Sequence, residues 1–166
     1  MKKIYALLVL IFVSLGCAWA LKGIQENAHS EALVEAPAGE VSWFTDFDEA
    51  SAEAKSSGLP ILLDFTGSDW CGWCIRLDKE VFSQPEFKAY ASKSLVLVKL
   101  DFPRAGKQSN ALKKQNEALS KKYEIRGFPT IVLVSPEGEE IERTGYQRGG
   151  AAEYVSHLKE LLAGSE

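Results

Sequence analysis

The chain is poor in the residues that bind metals: its 166 residues hold three cysteines and two histidines. A structural zinc site takes four ligands. One Cys-x-x-Cys pair supplies two, and His29 and His157 form no ligand pair, so zinc is not expected. Cys17 falls in an apolar leader, which leaves Cys71 and Cys74 for a mature form. Two cysteines do not build a disulfide scaffold, and a bridge across three residues constrains the unfolded chain little. An excess of basic charge is also missing, with 19 Lys and Arg against 23 Asp and Glu. Residues 1–20 hold two lysines and no acid, so the rest carries 17 bases against 23 acids, a net −6. That balance argues against nucleic acid and anionic membrane as partners. No internal repeat is visible. A composition 46% hydrophobic and 25% charged is that of one ordinary domain with a real core.

Long hydrophobic runs are confined to the N-terminus. Lys2 and Lys3 precede an almost unbroken apolar stretch over residues 4–15, and Ala18-Trp19-Ala20 fits a small-x-small cleavage site. A signal peptide over residues 1–20 is the first reading. Leu15-Gly16-Cys17 resembles part of a lipobox, with Ser14 where an aliphatic residue is usual, so a lipid anchor at Cys17 is the second. An uncleaved anchor comes third, because the run is short for a bilayer span. All three export the domain, to the periplasm or the cell surface. Residues 21–40 read as a flexible tether, with Pro37 and Gly39 against any helix. The folded domain then covers residues 41–166.

Within it, residues 41–44 form a short strand. Thr45 and Asp48 suggest a capping box for a helix that Ser57-Gly58 ends. Residues 59–66 are apolar on both parities, as in a central strand covered on both faces. A helix carries on from Cys74, and Ser83 with Glu86 suggests a capping box for a second short one. Strands follow over 95–101, 130–134 and 139–143. A polar helix spans 110–122, and a last helix carries Ala151, Val155, Leu158 and Leu162 as its core stripe. Helices alternating with apolar strands, closed by a hairpin, predict an α/β fold with a central mixed sheet flanked by helices on both faces.

The pentapeptide Trp70-Cys71-Gly72-Trp73-Cys74 sits at a strand-to-helix junction. Only a thiolate attacks a disulfide. A helix N-terminus stabilises negative charge, which favours Cys71 as nucleophile. Cys74, one turn later, faces the same side and can attack a mixed disulfide. The nucleophile needs exposure and the second thiol shelter, which Trp70 and Trp73 could provide.

The strand over 61–66, the Trp70–Cys74 motif and Gly127-Phe128-Pro129-Thr130 follow one another as in the thioredoxin family, which the chain resembles over residues 41–163. The resemblance implies a thioredoxin-like fold and a cis peptide between Phe128 and Pro129. It implies that the backbone at Phe128 pairs with the substrate. Asp64 is similar to the family's buried carboxylate, which moves protons to and from the second thiol. The stretch from Asp64 to Trp70 is one residue longer than the usual spacing. Gly72-Trp73 stands where thioredoxin has Gly-Pro, and the proline usual a few residues after the cysteines is missing. The run Asp78-Lys79-Glu80-Val81-Phe82-Ser83-Gln84-Pro85 instead resembles exported thioredoxin-like proteins, among them the C-terminal domain of the electron-relay reductase DsbD. Asp78 matches an acid near the active site there.

The leading expectation is an exported thiol–disulfide oxidoreductase that reduces protein disulfides. Cys71, Cys74, Asp64 and Asp78 would be catalytic, and Trp70, Gly72, Trp73, Phe128 and Pro129 would meet the substrate. It needs no cofactor beyond the Cys71–Cys74 disulfide and acts as a monomer. Its partners are disulfide-containing proteins and an upstream thiol reductant or membrane electron donor. The alternatives are a non-enzymatic peptide-binding module and an oxidase or isomerase of folding proteins.

Overall fold

The computed structural model describes residues 41–164; the proposed signal peptide, the tether, Cys17 and His29 lie outside the described residues. Five strands form one mixed sheet: β1 Trp43–Phe44, β2 Ile61–Thr66, β3 Val96–Asp101, β4 Thr130–Val134 and β5 Glu140–Thr144. Their spatial order is β1-β3-β2-β4-β5. β2 runs parallel to β3 and antiparallel to β4. It is therefore the middle strand, and all six of its residues are buried.

Alternation along β2 feeds two separate cores. Ile61, Leu63 and Phe65 face one side, where they meet helix α1 (Phe47–Ser57) and helix α4 (Asn110–Lys122) through Ala50, Ala54, Leu119 and Tyr123. Leu62 faces the other side. It lies in a cluster with residues of α2 (Gly72–Leu77), the π-helical turn Asp78–Phe82, α3 (Pro85–Ser94) and α5 (Gly150–Ala163). Asp64 shares the parity of Leu62, so a carboxylate points into this second, apolar layer. Fully burying one leucine here is worth about 1.5–3 kcal/mol, so each layer has strong drive to form.

Local chemistry moves several boundaries from their sequence-derived places. Asp46, rather than Thr45, caps α1: its carboxylate accepts from Asp48 N at 2.9 Å and Glu49 N at 3.1 Å. Gly58 ends that helix in the left-handed region, φ 70°. The Ser83–Glu86 box does not form. Ser83 closes the π-helical turn instead, donating its N–H to Asp78 O at 2.8 Å. Gln84 precedes α3 without a side-chain cap, and Pro85 takes the first turn, where its missing N–H is not needed. Ser109 caps α4, accepting from Leu112 N at 3.2 Å.

Candidate active site

Cys71 stands at the N-cap of α2, immediately beyond the buried end of β2. Its N–H donates to Gly67 O at 2.8 Å. Its sulfur is bonded to Cys74. Cys71 Sγ also accepts from Cys74 N at 3.2 Å, as a thiolate at a helix start would. The two cysteines are 7% and 3% exposed. The ranking is the expected one, but Cys71 is less open than a nucleophile needs, because the S–S bond itself covers part of its sulfur. The Phe128–Pro129 peptide is cis. Pro129 enters β4 where Thr130 pairs with Phe65, one residue from the end of β2, so both motifs meet at one edge of the sheet.

The extra residue before the cysteines builds a tight turn. Trp70 N donates to Gly67 O at 3.2 Å, and the indole folds back over Gly67. A Cβ at Gly67 would lie 2.5 Å from the ring, so only glycine fits there. Trp70 Nε1 donates to Phe102 O at 2.8 Å. The Trp70 ring meets Phe128 edge-on at 5.8 Å, and Phe128 packs on Phe102 at 5.1 Å. This aromatic wall lies on the upstream side of the disulfide. Asp69 locks it in place: its carboxylate accepts the backbone N–H groups of Arg104, Ala105 and Gly106 at 2.9, 2.7 and 3.2 Å. These donors hold its pKa below the ordinary carboxylate value. Ser68 adds a second clasp, donating its N–H and hydroxyl to Asp101 at 2.9 and 2.6 Å.

The downstream side is open. Trp73 is half exposed and leans on Tyr146 at 5.1 Å. Trp73 thus shields the disulfide less than expected, because its ring turns to Tyr146 at the surface. Arg76 lies over the Trp73 ring at 5.5 Å and pairs with Glu80 at 3.0 Å. Tyr146 donates to Glu80 at 2.6 Å. Gly72, Trp73 and Arg76 line a shallow recess.

Asp64 is 3% exposed, and its Oδ1 has no hydrogen-bond partner. Burial pushes its pKa up to about 7; Lys99 pulls it down, while Asp78 and Asp101 push it further up. The sheet explains Lys99, since it is the register partner of Asp64 on β3. Lys99 Nζ reaches across to Asp78 Oδ1 at 3.7 Å. Asp78 follows Cys74 by four residues, one helical turn. A chain of ionisable groups therefore runs from the buried carboxylate to the helix that carries the second thiol. The buried Tyr154 also feels Asp64, and burial raises its pKa; it donates to Gly145 O at 3.1 Å.

The structure pairs Cys71 with Cys74, buries Asp64 on β2 beside its register partner Lys99, sets Lys99 against Asp78, and places Phe128 against Trp70. It adds four to which the sequence alone assigns no role at the site: Lys99, Phe102, Asp69 and Arg104, although the run Asp101-Phe102-Pro103-Arg104 shares the resemblance to the exported thioredoxin-like proteins. Lys99 left a signal, as a charge in the middle of a largely apolar strand. The others lie in turns whose partners are 26 to 37 residues away, and no periodicity marks them.

Comparison with known proteins agrees with this geometry. Residues 47–161 match the thioredoxin-like domain family. The chain belongs to that family. It is 38% identical over 146 residues to the disulfide bond reductase DsbH of Chlamydia pneumoniae, covering 88% of this chain and 86% of the relative. A solved DsbH oxidoreductase structure superposes with a TM-score of 0.74 at 34% identity, covering 86% of this chain and 94% of that one. The thiol:disulfide interchange protein DsbD of Klebsiella pneumoniae is 35% identical over 126 residues, which span 74% of this chain and 19% of DsbD. The C-terminal domain of Neisseria meningitidis DsbD, at 20% identity and a TM-score of 0.52, shares the fold. Its homology makes the chain a thiol–disulfide oxidoreductase of the thioredoxin-like family with a Cys-x-x-Cys pair.

Proposed function

We propose that the domain reduces disulfides of exported proteins. Similarity to a relative named as a disulfide bond reductase, along nearly the whole length of both chains, carries this direction. The apolar leader over residues 1–20 supports export. In the working cycle, the Cys71 thiolate attacks one sulfur of a substrate disulfide. The other substrate sulfur leaves as a thiolate and takes a proton from water. Cys74 then loses its proton to the Asp64 carboxylate and attacks Cys71 Sγ. The second substrate thiolate leaves. Two electrons have passed to the substrate, and the enzyme holds the Cys71–Cys74 disulfide. A thiol donor of lower potential must return two electrons and two protons.

A carboxylate with a pKa of about 7 exchanges protons readily near neutrality. Burial raises it there, and Lys99 and Asp78 tune it with opposite signs. Trp70, Gly72, Trp73, Phe128 and Pro129 form the surface the substrate crosses. Reduction of insulin disulfides, with a recycling dithiol, tests the proposal. Wild type is expected to turn over, Cys71→Ser to be inert, and Cys74→Ser to accumulate mixed disulfides. Equal, undiminished rates in all three would refute the mechanism.

A further inference from the structure

The rim beside the disulfide carries a fixed cation that the redox cycle does not use. Arg104 lies with its guanidinium 4.1 Å from the centre of the Trp70 ring, and Trp70 is the residue before Cys71. Its backbone N–H is bound by Asp69, and its neighbour Phe102 accepts from the Trp70 indole. The side chain is thus held by a ring contact, and its loop is anchored on both sides. Yet among the described residues no carboxylate forms an ion pair with this guanidinium. Asp69, the acid that clasps this loop, is engaged by backbone N–H groups.

The surroundings favour the same sign. Residues 99–126 hold eight Lys and Arg against three acids, in a chain that is acidic as a whole. Arg126 lies two residues before Phe128, the ring that packs on Phe102. Its side chain is nine-tenths exposed, and its contact with Glu124 is long, at 3.9 Å. A planar guanidinium stacked on an aromatic face still presents N–H donors at its edge, in the fork that matches a carboxylate.

We propose that Arg104 is a specificity-determining residue: it binds an acidic side chain close to the disulfide of the incoming polypeptide. The preferred substrate segment is therefore acidic. This inference rests on the reductase reading above. One charge-assisted hydrogen bond at an exposed rim corresponds to a preference of about threefold at low salt, weakening as salt screens it.

The test uses three disulfide-bonded peptides that differ only beside one cysteine, with Glu, Gln or Lys. Their reduction is followed with the full chain and a recycling dithiol. Wild type is expected to give a kcat/KM for the Glu peptide about threefold above the Gln peptide, with the Lys peptide slowest. Arg104→Gln is expected to bring the Glu-to-Gln ratio near one. Arg104→Lys keeps the charge but not the planar fork, and should fall between. Lys55→Gln, in the last turn of α1 at the other end of β2, makes the same charge change and should keep the wild-type ratio. Equal rates for the three peptides with wild type overturn the inference without any variant. An unchanged ratio in Arg104→Gln, or an equal loss in Lys55→Gln, also overturns it. Failure to reduce any peptide overturns the reductase reading itself, and this inference with it.

Discussion

Asp64 and Asp69 are five residues apart, and their surroundings drive them in opposite directions. Asp64 sits on the middle strand inside an apolar layer, with one oxygen unpartnered. Its proton is held to about pH 7. Asp69 lies in the following turn, fully exposed, with three backbone N–H groups aimed at it, and is held ionised. Desolvation dominates the first and hydrogen bonding the second. The difference separates two tasks. In the proposed mechanism, the floor of the site holds a group able to gain and lose a proton at working pH. The rim holds a permanent charge that serves only to fix a loop.

The largest effect should come from removing the ionisable floor. Asp64→Asn is expected to slow the second thiol's attack by about a hundredfold, the scale of general-base catalysis. Rapid-mixing measurement of mixed-disulfide decay checks this, and a rate within twofold of wild type would remove Asp64 from the mechanism. The same variant should raise the stability of the oxidised protein. The native pKa is about 7, against 3.8 for an ordinary aspartate. Between those values the folded state holds a proton that the unfolded state does not, so stability falls as pH rises through that window. The full penalty applies above pH 7 and is on the order of 4 kcal/mol as an upper bound. Asp64→Asn should therefore gain stability over wild type at pH 8 and gain little at pH 4, read by urea unfolding at both.

A subtler pair of variants sharpens the contrast through neighbours. Lys99→Met removes the charge that lowers the Asp64 pKa and should move its titration upward. Asp78→Asn removes a charge that raises it and should move it downward, by less. Carboxyl carbon shifts followed against pH decide this, and shifts of the same sign would break the account of the floor. The smallest effect belongs to the rim. Asp69→Asn should leave the fold intact but loosen its loop. Amide hydrogen exchange at Arg104, Ala105 and Gly106 is expected to quicken, with that at Leu62 and Val132 unchanged.

The contrast also explains what could be read from the chain. β2 was legible because six consecutive residues are buried on both faces. The limits of α4 and β4 were legible because Leu112, Leu119 and Tyr123 share one side of a polar helix and residues 130–134 form an apolar run. The Cys71–Cys74 pair, the burial of Asp64 and the cis Phe128–Pro129 peptide were legible because motif order carries them. The rim was not legible. Asp69 meets residues 35 to 37 positions away, and a loop clasp of that reach has no periodicity. The π-helical turn was hidden for a related reason. Its closing bond runs from Ser83 N to Asp78 O, while Ser83 reads locally as the start of a new helix.

The central claim is that electrons leave this domain for its substrates. The equilibrium reduction potential of Cys71–Cys74, measured against a glutathione or dithiothreitol buffer, tests it most directly. The account predicts a value toward the reducing end, nearer the thioredoxin value of about −270 mV than the strong-oxidant value of about −120 mV. A value at the oxidising end would contradict it and make the domain a donor of disulfides.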